Sequence, residues 1–147
     1  MHQHHEDAHD RARTALARLL AAAGHGRHHL VCSVTPTGRA GPPLAAAVHA
    51  EQGTGPLSGP RYPRTAGHLF TTVLAAALTT GLPGGVVLRT TRGGRDTVRA
   101  WRLHDGWLHP LTEAEVFTAY CTDPLTGEPV PPEPGVDYRP GLHLPAP

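Results

Sequence analysis

Three residue types in this chain can do chemistry: twelve histidines, two cysteines and thirteen arginines. The histidines open it. His2, His4, His5 and His9 are interleaved with Glu6, Asp7 and Asp10, and His5 and His9 stand one helical turn apart, a spacing at which two imidazoles chelate a divalent metal. Strong metal sites also hold their ligands in place by further hydrogen bonds, which a chain terminus supplies poorly, so only a weak site at His5 and His9 is expected. His25, His28 and His29 fall in the turn after a helix and read as polar loop residues. His49-Ala50-Glu51 matches the His-x-Glu half of a zinc deaminase site. The Pro-Cys-x-x-Cys half is absent: Cys32 follows Val31, and Cys121 follows Tyr120. The serines are Ser33 and Ser58, and the residues around Ser58 lack the glycine spacing of a nucleophile elbow. Cys32 lies within a strand pattern, where a small buried hydrophobe is expected. No coherent catalytic set emerges. The balance is against an enzyme, and no cofactor is expected.

The arginines carry the stronger signal, because charge is sorted along the chain. Residues 11–102 hold twelve arginines against two acids, Glu51 and Asp96, whereas residues 103–147 hold seven acids against Arg139 alone. The formal net charge of +1 conceals this polarity. Segregated charge points to partners and to self-complementarity rather than to a reaction. Every basic residue is Arg, and Lys, Ile and Asn are missing altogether, so part of the pattern is GC-rich, actinobacterial-type codon usage. Two arginine groups qualify as surfaces. Arg61, Arg64 and Thr65 surround the expected start of a helix, where backbone N–H groups attract a phosphate or carboxylate. Arg89, Arg92, Arg95 and Arg102, with Trp107 and His109, form a basic hairpin. Arginine beside an aromatic ring on an open sheet face suits nucleic acid. The same surface suits an acidic protein, including this chain's own acidic C-terminal region.

These residues must be positioned by a modest core. The chain has 147 residues, enough for one domain, and 33 of them are Gly or Pro. Ala8, Ala12, Ala15, Leu16, Leu19 and Leu20 recur at helical spacing over residues 6–23, with Gly24 and Gly26 as the stop and residues 1–5 as a disordered tail. Residues 29–35 and 44–51 read as strands around a Pro/Gly loop. A helix follows from Thr65, its expected cap, to about Thr80, ended by Gly81 and Pro83.

The segment 85–110 is the most legible. Gly93-Gly94 and Asp105-Gly106 are two-residue hairpin turns. Counting outward pairs Val86 with Trp101, Leu88 with Arg99, and Leu103 with Leu108. One face then holds Val86, Leu88, Trp101, Leu103 and Leu108. The other holds Val87, Arg89, Val98, Ala100, Arg102, Trp107 and His109. Thr112 and Glu115 spell a capping box with Leu111 and Val116 as its hydrophobic staple, starting a short helix. Residues 122–147 hold eight of the sixteen prolines and are expected to run extended over the surface or to stay loose.

The expected fold is α+β: an antiparallel sheet of about five strands in the order α-β-β-α-β-β-β-α, packed by two or three helices, with residues 6–121 as the domain and 122–147 as a Pro-rich tail. This order is similar to that of roadblock/longin-type dimerisation modules of bacterial regulatory systems, a likeness of element order and not of motif. No apolar run is long enough for a membrane span, and the N-terminus is unlike a signal peptide. Two distant cysteines fit reduced thiols. The expectation is a cytoplasmic, non-enzymatic interaction or regulatory module that binds a protein partner or a second copy of itself as a homodimer. Nucleic-acid binding and small-anion binding are the alternatives.

Overall fold

The computed structural model describes residues 3–34, 44–53, 59–81, 83–123 and 126–147, with side chains of the first helix described from Asp7. The loop expected at 36–43 and Ser58 lie outside those residues. The elements are α1 (Gln3–Ala23), β1 (Gly26–Val34), β2 (Leu44–Gln52), α2 (Arg64–Thr80), β3 (Gly84–Arg92), β4 (Arg95–His104), β5 (Trp107–Pro110), α3 (Glu113–Tyr120) and β6 (Val136–Tyr138). The fold is α+β, as the sequence pattern predicts. The sheet runs β2-β1-β3-β4-β5, all antiparallel, and β6 adds a sixth strand parallel to β4.

The main core lies between one sheet face and the two long helices. Ala12, Ala15, Leu16, Leu19 and Leu20 of α1 and Phe70 and Leu74 of α2 are buried against Leu30, Cys32, Val48, Val86, Leu88 and Trp101. Each large side chain sealed in this way contributes about 1.5–3 kcal/mol of apolar transfer free energy. α1 starts at Gln3, so the segment expected to be a disordered tail is largely helical in backbone. α2 is capped by Pro63, not Thr65. Gly67 N–H already bonds to Pro63 C=O (3.0 Å), which closes the first turn before Thr65 could act as cap. Gly81, at φ 68°, ends the helix with its N–H on Ala77 C=O.

A second, smaller cluster occupies the opposite face. Val98, Ala100 and Val116 are buried there, with Val87, Leu111, Tyr120, Val136 and Tyr138 packed around them. α3 covers this face, and the predicted capping box fixes its start: Glu115 N–H bonds to Thr112 Oγ1 (3.2 Å), and Thr112 N–H to Glu115 Oε1 (3.0 Å).

The C-terminal segment is extended but far from loose. β6 lies along β4 on the edge that β4 also shares with β5. The chain then crosses to the main face, where Trp101 Nε1 donates to Leu142 C=O (2.7 Å) and Trp107 Nε1 to Leu144 C=O (2.8 Å). Leu144 is buried in the main core. Gly141 makes the crossing fit: a Cβ there would lie 2.5 Å from Ala100 O and 2.9 Å from Pro110.

Candidate functional site

One end of the sheet gathers arginines. β1 begins there, β2 ends there, and β3 turns into β4 through Gly93 and Gly94, both with positive φ as a tight hairpin turn requires. α1 also ends there, and its last carbonyls are unusually well covered. Arg92 donates from Nε to His25 C=O and from Nη2 to Ala23 C=O, both at 2.9 Å. With its amide turned to face them, Gln52 donates to the Leu20 and Gly24 carbonyls. His28 Nε2 donates to Gly24 C=O (2.7 Å), while Nδ1 accepts from Thr90 Oγ1 (3.1 Å). The neutral ring makes this pattern with the Thr90 hydroxyl as donor. His28 is 1% exposed, and burial holds its pKa below the ordinary imidazole value, with Arg92 and His25 pushing the same way. A guanidinium at the carbonyl end of a helix also complements its dipole.

Beside this cap lies a cavity of about 470 Å³, lined by Arg92, Arg95, Arg99, Thr90, Thr97 and His25, with Asp137 and Leu142 from the C-terminal segment. Arg92 and Arg95 are direct cross-strand partners, a like-charge pairing that is destabilising when nothing neutralises it. Arg99 is half-buried, with Nη1 donating to Pro140 C=O (2.7 Å); burial, then the nearby Arg139, lower its pKa. Arg95 is exposed and makes no hydrogen bond or ion pair among the described residues. A second depression of about 560 Å³ shares Arg92 and His25 and adds Arg27, Arg61 and Glu51. Arg27 and Glu51 pair there at 3.3 Å.

The sheet face expected to be open and basic is covered in part, although Arg102 and His109 remain exposed. α3 lies on it, and Val98 and Ala100 beneath are buried. Arg89 is held by two acids and a tyrosine: Nε and Nη2 bond to Asp96 Oδ2 (2.9 and 2.5 Å), Nη2 to Glu133 Oε2 (3.2 Å), and Nη1 to Tyr120 Oη (2.7 Å). The Asp96 hydrogen bonds come first in raising the Arg89 pKa further above its ordinary value. Asp96 is in turn depressed, by its bond from Thr91 Oγ1 and then by Arg89. Arg102 pairs with Glu115 of α3 at 3.3 Å. Trp107 is not on this face. It lies in the main core, with the Arg11 guanidinium 5.5 Å from its ring centre and its indole N–H satisfied by Leu144. β5 is only four residues long and sits at the sheet edge. Burying an indole there outweighs strict alternation, so Trp107 and Leu108 are both buried. His109 is exposed, with Nε2 bonded to His104 C=O.

The other candidates stay apart. Arg61 is joined to Glu51 through backbone bonds (2.8 and 2.9 Å), and Arg64 and Thr65 are exposed at the start of α2. His9 is half-buried on α1, and the His5 side chain lies outside the described residues. No group of three or more His, Cys, Asp or Glu is placed to hold a metal among the described residues. His49 stacks on His29, rings 4.3 Å apart and 8° from parallel, while Glu51 is paired with Arg27. Cys32 is fully buried, which pushes its thiol pKa up to about 12, so it is no nucleophile at neutral pH. Cys121 is buried beside Tyr138.

Arg99 and Thr97 are the cavity residues that sequence reasoning missed, although their signal was present. The same hairpin count that pairs Leu88 with Arg99 puts residues 95, 97 and 99 on the face of Trp101, opposite Arg89. Comparison of the chain with models of known protein families, with curated proteins and with solved structures finds no match.

Proposed function

We propose that this protein is an intracellular, non-catalytic interaction module that docks an acidic segment of a partner protein on the arginine-lined end of its sheet. One observation carries this: Arg92, Arg95 and Arg99 converge on a single cavity whose lining includes one carboxylate, Asp137. Like charges gathered in a concavity raise the local anion concentration and speed encounter with an acidic partner. The second depression, with Arg27 and Arg61, extends the same basic track. With Trp107 inside the core, no described Phe, Tyr or Trp lines either depression, which favours acidic protein over single-stranded nucleic acid. No described helix is long and apolar enough to cross a membrane.

The test is titration of a fluorescent acidic peptide, rich in Glu and Asp, into the full chain. Affinity is expected to fall steeply with salt and to vanish in Arg95→Glu, while Arg102→Glu retains it. Binding unaffected by Arg95→Glu would remove the proposal.

A second reading rests on the opposite edge. β2 ends the sheet; beyond its pairing with β1, its one described bridge is Glu51 to Arg61, and Leu44 is 58% exposed. An edge lacking Lys or Pro over 44–50 suits antiparallel pairing of two copies. Light scattering at high concentration reports this. A dimer that Ala47→Lys converts to monomer supports self-association, and a monomer throughout removes it.

A further inference from the structure

We propose that the cavity between the end of α1 and the β3–β4 hairpin is a receptor for a phosphate monoester dianion, carried as a phosphorylated side chain on the acidic partner. This rests on the acidic-partner reading above and names the group that anchors it.

Charge matching decides between a carboxylate and a phosphate. Arg92, Arg95 and Arg99 face one lining acid, Asp137, a net of two positive charges. A carboxylate brings one negative charge and two oxygens, and would leave the directly opposed Arg92–Arg95 pair half-neutralised. A phosphate monoester brings about two charges and three acceptor oxygens.

The donors are also in surplus. Arg95 is uncommitted, Arg99 uses Nη1 on Pro140, and Arg92 uses Nε and Nη2 on α1. Arg95 Nε and both its amino groups, Arg99 Nη2 and Arg92 Nη1 therefore remain, enough for forked contacts to several oxygens. The Thr97 hydroxyl adds a neutral donor, whereas that of Thr90 is committed to His28. Of the carbonyls at the end of α1, which would repel an anion, those of Leu20 and Ala23 are covered by Gln52 and Arg92, and the Gly24 carbonyl that follows is covered by Gln52 and His28. A pocket of about 470 Å³ seats one phosphorylated side chain with room for its backbone. The rest of an acidic segment then runs past Arg92 toward Arg27 and Arg61.

The test is calorimetric titration of the full chain with one acidic peptide in three forms: with a single phosphoserine, with Glu at that position, and with Ser. The phosphorylated form is expected to bind about tenfold to a hundredfold more tightly than the Glu form. Arg95→Gln should erase that advantage, and millimolar inorganic phosphate should compete. Thermal unfolding of Arg95→Gln, unchanged from the parent, shows that the loss is not one of folding. Equal binding of the phosphorylated and Glu forms overturns the phosphate inference and leaves the acidic-partner reading standing. Binding of none of the three overturns both. An advantage that survives in Arg95→Gln places the phosphate elsewhere and overturns this site.

Discussion

Two sets of arginines sit on the same two strands and meet opposite fates. Arg89 and Arg102 point to the sheet face that α3 packs on, where Asp96 and Glu133 hold Arg89 and Glu115 pairs with the exposed Arg102. Arg92, Arg95 and Arg99 point to the other face, past the end of α1, where one carboxylate faces three guanidiniums. Strand alternation alone separates them. The charge polarity along the chain is thus partly consumed within the molecule: acids from the second half, Glu115 and Glu133, come back onto arginines from the first. What the fold leaves uncompensated is the hairpin end, and that remainder makes a candidate site more persuasively than the total charge does. The same residue type is structural on one face and available on the other, and substitutions can pull the two roles apart.

The covered face depends on the C-terminal segment, so the largest effect is expected where that segment is anchored. Trp107→Ala removes a buried indole and the donor that holds Leu144. A loss of about 3–5 kcal/mol is expected, measured by urea unfolding. Arg89→Ala is expected to cost about 1–3 kcal/mol, since it strands Asp96 and Glu133, yet to leave acidic-peptide binding intact. If Arg89→Ala abolished peptide binding in folded protein, the division between the two faces would be wrong.

The hairpin end carries a pH signature through His28. Burial favours the neutral ring of His28 in the fold and lowers its pKa there. Below about pH 6.5 the unfolded chain takes up a proton that the native state refuses. Stability is therefore full above that pH and falls as pH drops toward the lowered native value, by up to about 1.4 kcal/mol per pH unit. Asp96, whose pKa is also lowered, contributes its own loss in the separate window below about pH 4. Urea midpoints measured between pH 7.5 and 5 should show the His28 slope. His28→Gln keeps a neutral donor for Gly24 and an acceptor for Thr90, and should leave the contribution of His29, whose pKa is lowered by burial, His49 and Arg89. An unchanged slope in His28→Gln would mean that another histidine carries the effect.

How much of this was legible in the sequence follows from the range of the interactions. The hairpin register was, because Gly93-Gly94 and Asp105-Gly106 fix it locally and alternation does the rest. The capping box of α3 was, because its bonds span three residues. The cover on the second face was not, since Glu133 reaches Arg89 across 44 residues of chain, and neither was the anchor in the main core, where Leu144 meets Trp107 across 37. Proline content described the extended path of residues 126–147 and was silent on what that path packs against. The α2 cap was missed because a Thr before an apolar run is a good signal that a closer turn, closed by Pro63, overrode. At the candidate site the parity was readable for Arg95 and Arg99. The capture of Arg92 by α1 was not, being a contact across 69 residues.

The smallest stability effects make the sharpest test, because two exposed arginines of the same strand lie on opposite faces of the sheet. Arg102 is exposed and carries one surface pair with Glu115, a kind of contact that seldom contributes measurably. Arg95 is exposed and has no described partner at all. Replacing either by Gln should leave the urea midpoint where it was. Their effects on a bound acidic peptide should then diverge: Arg95→Gln weakens it and flattens its salt dependence, while Arg102→Gln changes neither. Equal weakening by both would show that the peptide senses only overall charge, and the cavity would have no privileged role.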